Sequence, residues 1–307
     1  MPDGTQLPDA LPLPAGRFAV AVSGGVDSVA LLRWAIDQNR EQVACVVHVD
    51  HAVRHESHED AAFVDELAKR LGLPCHIAHL DGGGTESTWR QERLRVFGDV
   101  GEKRGLDGVL VGHHLDDRIE TVGLRLLRGS PASGTAGLAP MHADTTVSGV
   151  RLVRPLLGVA KAALHAFLRK LGQEFRQDAT NDDVSNARNR LRRLLGREPG
   201  LREALQSLTA AAEAAERLIE ERASEVAATA EGLAALTAKP DDPVIRRVAR
   251  RWLLDLGVPE ADASPEVVDR AMSVLSPNGP PAVTLPAHIH LRRRGRSAGG
   301  GTEVRWA

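Results

Sequence analysis

Ser23-Gly24-Gly25-Val26-Asp27-Ser28 gathers within six residues what a phosphate chain needs from a protein. Ser23 and Ser28 supply hydroxyl donors, Gly24 and Gly25 let the backbone come close to a ligand, and Asp27 is a carboxylate suited to Mg²⁺ beside the phosphates. The string lies between the apolar run Ala19–Val22 and a segment with Val29, Leu32 and Ile36 at helical spacing, so it reads as a strand-to-helix turn. A helix start presents unpaired N–H groups and a positive dipole end, which suit an anion. A Ser-capped glycine turn is the structural alternative, but six residues in this order are more specific than that. No Gly-Lys-Ser/Thr follows, which excludes a Walker A loop. The chemistry implied is a pyrophosphate cradle, with Ser23 to Ser28 contacting ATP that is split between its α- and β-phosphates.

A second reactive string, Gly112-His113-His114-Leu115-Asp116-Asp117-Arg118-Ile119-Glu120-Thr121, follows an apolar run at 108–111 and opens a helix. Asp117, Glu120 and Thr121 share one face of that helix. Acids at a helix start also serve as dipole-favoured caps, and a structural zinc would want four ligands at tighter spacing. Asp117 is a candidate, with Asp27, for holding Mg²⁺, or alternatively for holding an incoming amine. His113 and His114 are candidates to polarise the group being activated, and Asp116 and Glu120 complete the catalytic set. Arg90 and Arg93, on a helix starting near Trp89, are candidates to neutralise the α-phosphate or a nucleic-acid phosphate.

A third block runs Asn186-Ala187-Arg188-Asn189-Arg190-Leu191-Arg192-Arg193. Arg188, Arg192 and Leu195 fall on one helical stripe, and Asn186 and Asn189 add hydrogen-bonding groups. Spaced guanidinium forks on a helix suit phosphate; a salt-bridged surface helix is the alternative.

The elements that must position these residues alternate. Strand-like runs at 17–22, 43–49, 75–80 and 108–112 are separated by helical patterns at 28–38, 58–71 and 87–104, with another at 116–128. Such alternation predicts an α/β fold, a parallel sheet with helices on both faces, and ligands at the carboxyl ends of the strands. The phosphate loop, the segment His48–Arg54 and the segment Gly112–Asp117 all fall at that edge. A further helix is expected at 161–171. From about 201 the chain turns helical, with patterns at 201–235, 243–256 and 264–275 and a short hairpin at 283–291. The expected division is a flexible N-terminus at 1–16, a catalytic domain at 17–205 and a smaller, mainly helical domain at 206–307.

At 307 residues and 42% hydrophobic, the chain has enough apolar material for real cores. The Pro-rich, acidic start lacks the basic n-region of a secretory signal, and no apolar run reaches the roughly 18 residues of a membrane span. Cys45 and Cys75 stand in apolar, strand-like contexts and read as small buried hydrophobes of a reducing cytoplasm. The net charge of −2 hides an asymmetry: residues 151–200 carry eleven Lys/Arg against five acids. A local basic surface binds phosphates whatever the total charge. Further arginine clusters at 246–251 and 292–296 read as solvated helix faces.

These blocks together resemble the tRNA(Ile)-lysidine synthetases among the PP-loop ATP pyrophosphatases. The resemblance runs over residues 17–200 and includes Leu-Leu-Arg-Gly at 126–129 and Arg-Pro-Leu-Leu at 154–157. Trp89 and Leu94 depart from the family's pattern, which has Ala and Tyr there. The resemblance implies a Rossmann-like catalytic domain and places the end of the second strand, with His48 and His51, against adenine and ribose. His51 and Arg54 either take part directly or solvate the loop rim. It implies ATP as co-substrate with Mg²⁺, and L-lysine and a tRNA(Ile) with a CAU anticodon as partners. Lysine would be joined to C2 of the wobble cytidine by way of an adenylated base. Arg128, Arg188, Asn189, Arg190, Arg192 and Arg193 would contact the tRNA. A cytoplasmic location, no membrane association, no further C-terminal domain and compatibility with a homodimer complete the expectation. A tRNA thiolase on the same loop, or a catalytically silent tRNA- or nucleotide-binding protein, are the alternatives.

Overall fold

The computed structural model describes residues 7–50, 57–80, 83, 86–129, 141–176, 187–226, 242–259, 262–275, 278–293 and 304–306. The chain forms two compact units, one of residues 1–121 and 141–199, the other of 122–140 and 200–307.

The first unit is built on a six-stranded sheet. Its strands are β1 (Phe18–Ala21), β2 (Val43–Asp50), β3 (Cys75–His79), β4 (Gly108–Leu110), β5 (Asp144–Val147) and β6 (Val150–Val153), in the order β3-β2-β1-β4-β6-β5. All pairs are parallel except β5 with β6. β1 and β2 are near-continuous apolar runs because both of their faces are covered. Phe18, Val20 and Val46 pack with α1 (Val26–Asn39), α2 (Ser57–Arg70) and α5 (Lys161–Lys170). Ala19, Cys45 and Val47, pointing the other way, pack with Leu94, Val96, Phe97 and Val100 of α3 (Glu86–Arg104). Strand alternation thus decides which helix covers which face.

The chain moves outward from β1 through β2 to β3, then returns to the other side of β1 as β4. This reversal leaves a crevice at the carboxyl ends of β1 and β4, the place where such sheets bind ligands. α4 (Leu115–Leu127) begins there, directly after β4. Gly112 lets the two loops meet: a Cβ on it would lie 3.0 Å from the Asp27 carbonyl and 3.2 Å from Ser28 Cα.

The four expected strands and the helices between them are present. The hairpin β5–β6 was not expected; it extends the sheet beyond β4 and delivers Arg154 to the same edge. Residues 7–16 are not a loose terminus. Leu7 is buried in the first core, Leu11 N–H donates to the Pro155 carbonyl, and Gln42 Nε2 donates to the carbonyls of Pro14 and Gly16.

The second unit contains α7 (Pro199–Glu225), α8 (Pro243–Asp255), α9 (Pro265–Leu275) and an antiparallel sheet of β7 (Ala282–Thr284), β8 (His290–Arg293) and β9 (Val304–Trp306). The expected hairpin is therefore the first part of a three-stranded sheet. Val248, Trp252 and Leu253 of α8 pack with Val268, Ala271 and Met272 of α9 and with Leu285 and Leu291. Asp242 caps α8 by accepting from Val244 N–H, with Pro243 in the first turn. The arginines of α8 are held within the unit: Arg247 is ion-paired with Glu216 and Glu220, Arg251 with Glu220, and Arg246 with Asp269, while Arg250 donates to the Ala263 carbonyl. Residues 294–296 of the second arginine cluster lie outside the described residues.

Gly112→Ala is expected to destabilise the first unit by about 1–3 kcal/mol, because its methyl group would press on backbone rather than on a side chain that can turn aside. Urea unfolding checks this; an unchanged midpoint would mean that the two loops are not in contact.

Candidate active site

The phosphate loop is held by its own serines. Ser23 N–H donates to Ser28 Oγ at 3.1 Å, the two hydroxyl oxygens are 3.1 Å apart, and Ser28 Oγ donates to the Gly25 carbonyl at 3.0 Å. Gly24 has φ +94, a conformation that a side chain rarely adopts. Gly25 is the N-cap of α1 and offers no side chain to its first N–H groups. The loop is also pinned from outside: Arg176 N–H donates to the Gly24 carbonyl at 2.9 Å, and the Arg176 guanidinium pairs with Glu59 and Asp60 of α2. His48 is buried, with Nδ1 2.8 Å from the Val22 carbonyl, and so fixes the end of β2 against the start of the loop.

Beside the loop, a buried imidazole stands among carboxylates. His114 is 1% exposed; Nε2 lies 3.4 Å from Asp27 Oδ1 and 3.6 Å from Asp117 Oδ2, and Nδ1 lies 3.6 Å from Asp116 Oδ2. These are ion-pair rather than hydrogen-bond geometries. Burial alone would favour the neutral ring, but Asp116, Asp27 and Asp117 together raise its pKa to about 9. Burial pushes the Asp27 carboxyl up, yet His114 and Lys161 outweigh it and hold its pKa below the ordinary value. Asp27 Oδ1 is buried and accepts no hydrogen bond, while Oδ2 accepts one from Lys161 Nζ at 3.2 Å. An unsatisfied carboxylate oxygen beside an anion-binding loop fits a Mg²⁺ ligand.

The acids of α4 also do structural work. Asp117 Oδ2 accepts from His114 N–H at 3.1 Å, one of the two bonds of a capping box at the helix start. Asp116 Oδ2 accepts from Lys161 N–H at 2.9 Å and thereby joins the first turns of α4 and α5. Glu120 is 3% exposed; burial raises its pKa, against the pull of Arg192. Arg192 donates to Glu120 Oε1 at 2.6 Å and approaches Asp117 Oδ1 at 3.4 Å, and Arg188 lies 3.3 Å from Glu120 Oε2. Both arginines come from α6 (Ala187–Arg197), so the predicted stripe is real and faces these acids.

His113 behaves oppositely to its neighbour. It receives a hydrogen bond from Arg154 Nε at 3.2 Å, and burial, with Arg154, Arg188 and Arg93 nearby, lowers its pKa to about 4. Burial and Arg90 lower Arg154 in turn, to about 10.

The structure thus unites Ser23–Ser28, His113, His114, Asp116, Asp117, Glu120, Arg188 and Arg192. Arg90 and Arg93 are exposed on α3 and bear on the site through their charge on Arg154 and His113. Arg190 and Arg193 are exposed on α6, whereas Asn189, expected at an RNA surface, is buried with Leu191 and Leu195. Arg128 is exposed and belongs to the second unit. His51 lies outside the described residues. Sequence reasoning missed three cations. Arg154 and Lys161 were legible only as the starts of a motif and of a helix, and their place at the site depends on β6, which carried no clear signal; Arg176 stands alone in a polar stretch.

A protein-family model described as a PP-loop domain matches residues 5–198. Among curated proteins, the chain is similar to the tRNA(Ile)-lysidine synthase of Solibacter usitatus, 41% identical over 57% of this chain and 39% of that one. The protein of the same name from Bradyrhizobium sp. is 40% identical over 59% of this chain and 52% of its own. That of Deinococcus radiodurans is 36% identical over 79% of this chain and 40% of its own. The chain thus spans about half or less of the length of these relatives. Among solved structures, a tRNA thiolase of Methanococcus maripaludis superposes with a TM-score of 0.51 at 17% identity, over 69% of this chain and 74% of that one, a likeness of fold.

Two imidazoles adjacent in sequence should therefore titrate far apart. In NMR titrations His113 is expected near pH 4 and His114 near pH 9. Because the folded pKa of His114 is raised, its stabilisation is complete below the ordinary histidine value of about 6.5 and fades as pH rises through about 9. Asp116→Asn is expected to lower the His114 midpoint; a midpoint near 6.5 in the unaltered protein would contradict the carboxylate cage.

Proposed function

The chain belongs to the PP-loop domain family, and from that premise we propose that it joins L-lysine to C2 of the wobble cytidine of a CAU-anticodon tRNA(Ile), consuming ATP and releasing AMP and pyrophosphate. The observation that carries this reading is the meeting of the phosphate loop with the acidic start of α4 around His114, under the basic helix α6. The similarity to proteins named tRNA(Ile)-lysidine synthase supports the choice of substrates.

The C2 oxygen of cytosine is a poor leaving group, so it is first turned into an adenylate by attack on the ATP α-phosphate. Ser23, Ser28 and the N–H groups at the start of α1 receive the departing pyrophosphate, and Lys161 stands beside Asp27 to offset its charge. Asp27, with Asp117, would hold Mg²⁺, which screens the phosphates from the attacking oxygen. His114, kept protonated by its acids, presents positive charge next to the loop. Asp117 and Glu120 are suited to hold an ammonium ion and assist its deprotonation before the amine attacks C2 and AMP leaves. The wobble base must be splayed from its stack to expose C2. Arg190 and Arg193 are the exposed phosphate contacts of α6, and Arg128 adds one on the second unit. Arg188 and Arg192, which pair with Glu120 in the structure, lie where that ammonium would arrive.

A thiolase is the weaker reading. It would call on reactive thiols, whereas burial pushes Cys45 up and Cys75 to about 11. A silent nucleotide-binding protein would give the acid cluster its structural contacts alone and leave Asp27 Oδ1, which accepts no hydrogen bond beside the phosphate loop, without a chemical task. We place the reaction in the cytoplasm with its tRNA; no described helix is long and apolar enough to cross a membrane.

Mass spectrometry of nucleosides from a CAU-anticodon tRNA, after incubation with ATP and lysine, is expected to show a cytidine carrying lysine; no lysine-dependent product would sink the proposal. Asp27→Ala and Ser28→Ala are each expected to abolish adenylation, with circular dichroism checking that each variant is folded, and near-normal turnover in either would remove the cradle assignment. Asp117→Asn is expected to lower turnover more than tRNA affinity. Loss of Arg190 or Arg193 should instead weaken tRNA binding and flatten its log–log salt slope by about 0.7–0.9 per contact. If tRNA affinity and slope were unchanged, α6 would not be an RNA surface.

A further inference from the structure

Away from the phosphate loop, three side chains converge at the carboxyl ends of β2 and β3, and the proposed reaction uses none of them. Asp50 ends β2, His79 ends β3, and His58 stands in the first turn of α2. β2 and β3 pair in register at Asp50 and His79, so the two side chains leave the sheet side by side. His79 Nδ1 lies 3.1 Å from Asp50 Oδ2, and His58 Nδ1 lies 3.9 Å from the same oxygen. One potential ligand atom from each residue falls within 4.8 Å of the other two. The Asp50 carboxylate is fully buried, whereas His79 is 60% and His58 80% exposed.

We propose that Asp50, His58 and His79 form a binding site for a transition-metal divalent cation, with Zn²⁺ as the favoured occupant. At 3.9 Å the His58–Asp50 approach is too long for a hydrogen bond, yet it is close to the spacing of two ligands around one ion. Ligands about 2.0–2.1 Å from a tetrahedral zinc lie about 3.3–3.4 Å from one another, and the two measured separations bracket that value. Two imidazoles with one carboxylate select a borderline cation of the Zn²⁺ or Co²⁺ kind over Mg²⁺ or Ca²⁺, which prefer all-oxygen sets. The exposed histidines give the ion a path in. The buried carboxylate supplies a fixed anchor.

The site would tie the start of α2 to two strand ends. Glu59 and Asp60, which follow His58, hold the Arg176 that pins Gly24. Occupancy would therefore stiffen the outer support of the phosphate loop.

The test is metal binding by the full chain, stripped with chelator and titrated with Zn²⁺ against a chromogenic competitor, and with Co²⁺ followed by its visible absorption. His58→Ala and His79→Ala are the chosen variants, because both side chains are exposed and their loss leaves the buried carboxylate in place; circular dichroism checks the fold. One equivalent of Zn²⁺ is expected to bind. Each single variant should weaken it at least as much as loss of an outer-sphere partner, about 10–100-fold, and the double variant should abolish it. Zn²⁺ should also raise the melting temperature of the unaltered protein and leave the double variant's unchanged. Equal Zn²⁺ affinity in the unaltered protein and the double variant, whether both bind or neither does, would overturn the proposal.

Discussion

A protonated imidazole buried among carboxylates is the constraint around which the first unit is arranged. His114 draws Asp27 of the phosphate loop and Asp116 and Asp117 of α4 to one point, and Asp116 in turn holds the backbone of Lys161 at the start of α5. Three helix starts are thereby fixed at one end of the sheet. Acids beside helix N-termini are favoured by the dipoles, but several acids at one place repel. The charge on His114, with Lys161 and the two arginines of α6, makes the crowding tolerable. A group of this kind is costly to break from one side, because each lost member leaves an opposite charge buried.

The same arrangement separates two neighbouring histidines. His114 lies among acids and keeps its proton; burial, helped by Arg154, Arg188 and Arg93, takes the proton from His113 against the pull of Asp117. Environments that push adjacent titratable groups apart provide a fixed cation and a neutral donor–acceptor within one turn of chain. In the proposed chemistry, the cation faces the developing phosphate charge and the neutral ring stays available for hydrogen bonding. The dual service of Asp117, as helix cap and as candidate ligand, means that its position is set by the fold before any substrate arrives.

Much of this was legible in the residues. The strands and helices between 17 and 128 announced themselves because both-face burial leaves long apolar runs and the helices keep a polar side. The phosphate loop and the His-His-Leu-Asp-Asp string were legible because their chemistry is local. What escaped was set by distant packing. The strands β5 and β6 are four residues each, and β5, at the sheet edge, is only partly covered, so neither shows a strong period; with them went the placement of Arg154 and Lys161. The stripe of Arg188 and Arg192 could be drawn from spacing, but that it faces Glu120 is a tertiary fact. The burial of Asn189 on the same helix was hidden for the same reason. Residues 7–16 looked loose by composition and are held by contacts, such as Leu11 to Pro155, far away in sequence.

The central claim is that the loop and the acid cluster together activate an RNA base by cleaving ATP between its α- and β-phosphates. Exchange of labelled pyrophosphate into ATP, with tRNA present and lysine withheld, measures that step alone. The account predicts exchange that requires a CAU-anticodon tRNA, since the adenylated base forms before the amine is needed. Release of ADP and phosphate in place of AMP and pyrophosphate, or exchange equally fast without tRNA, would contradict it.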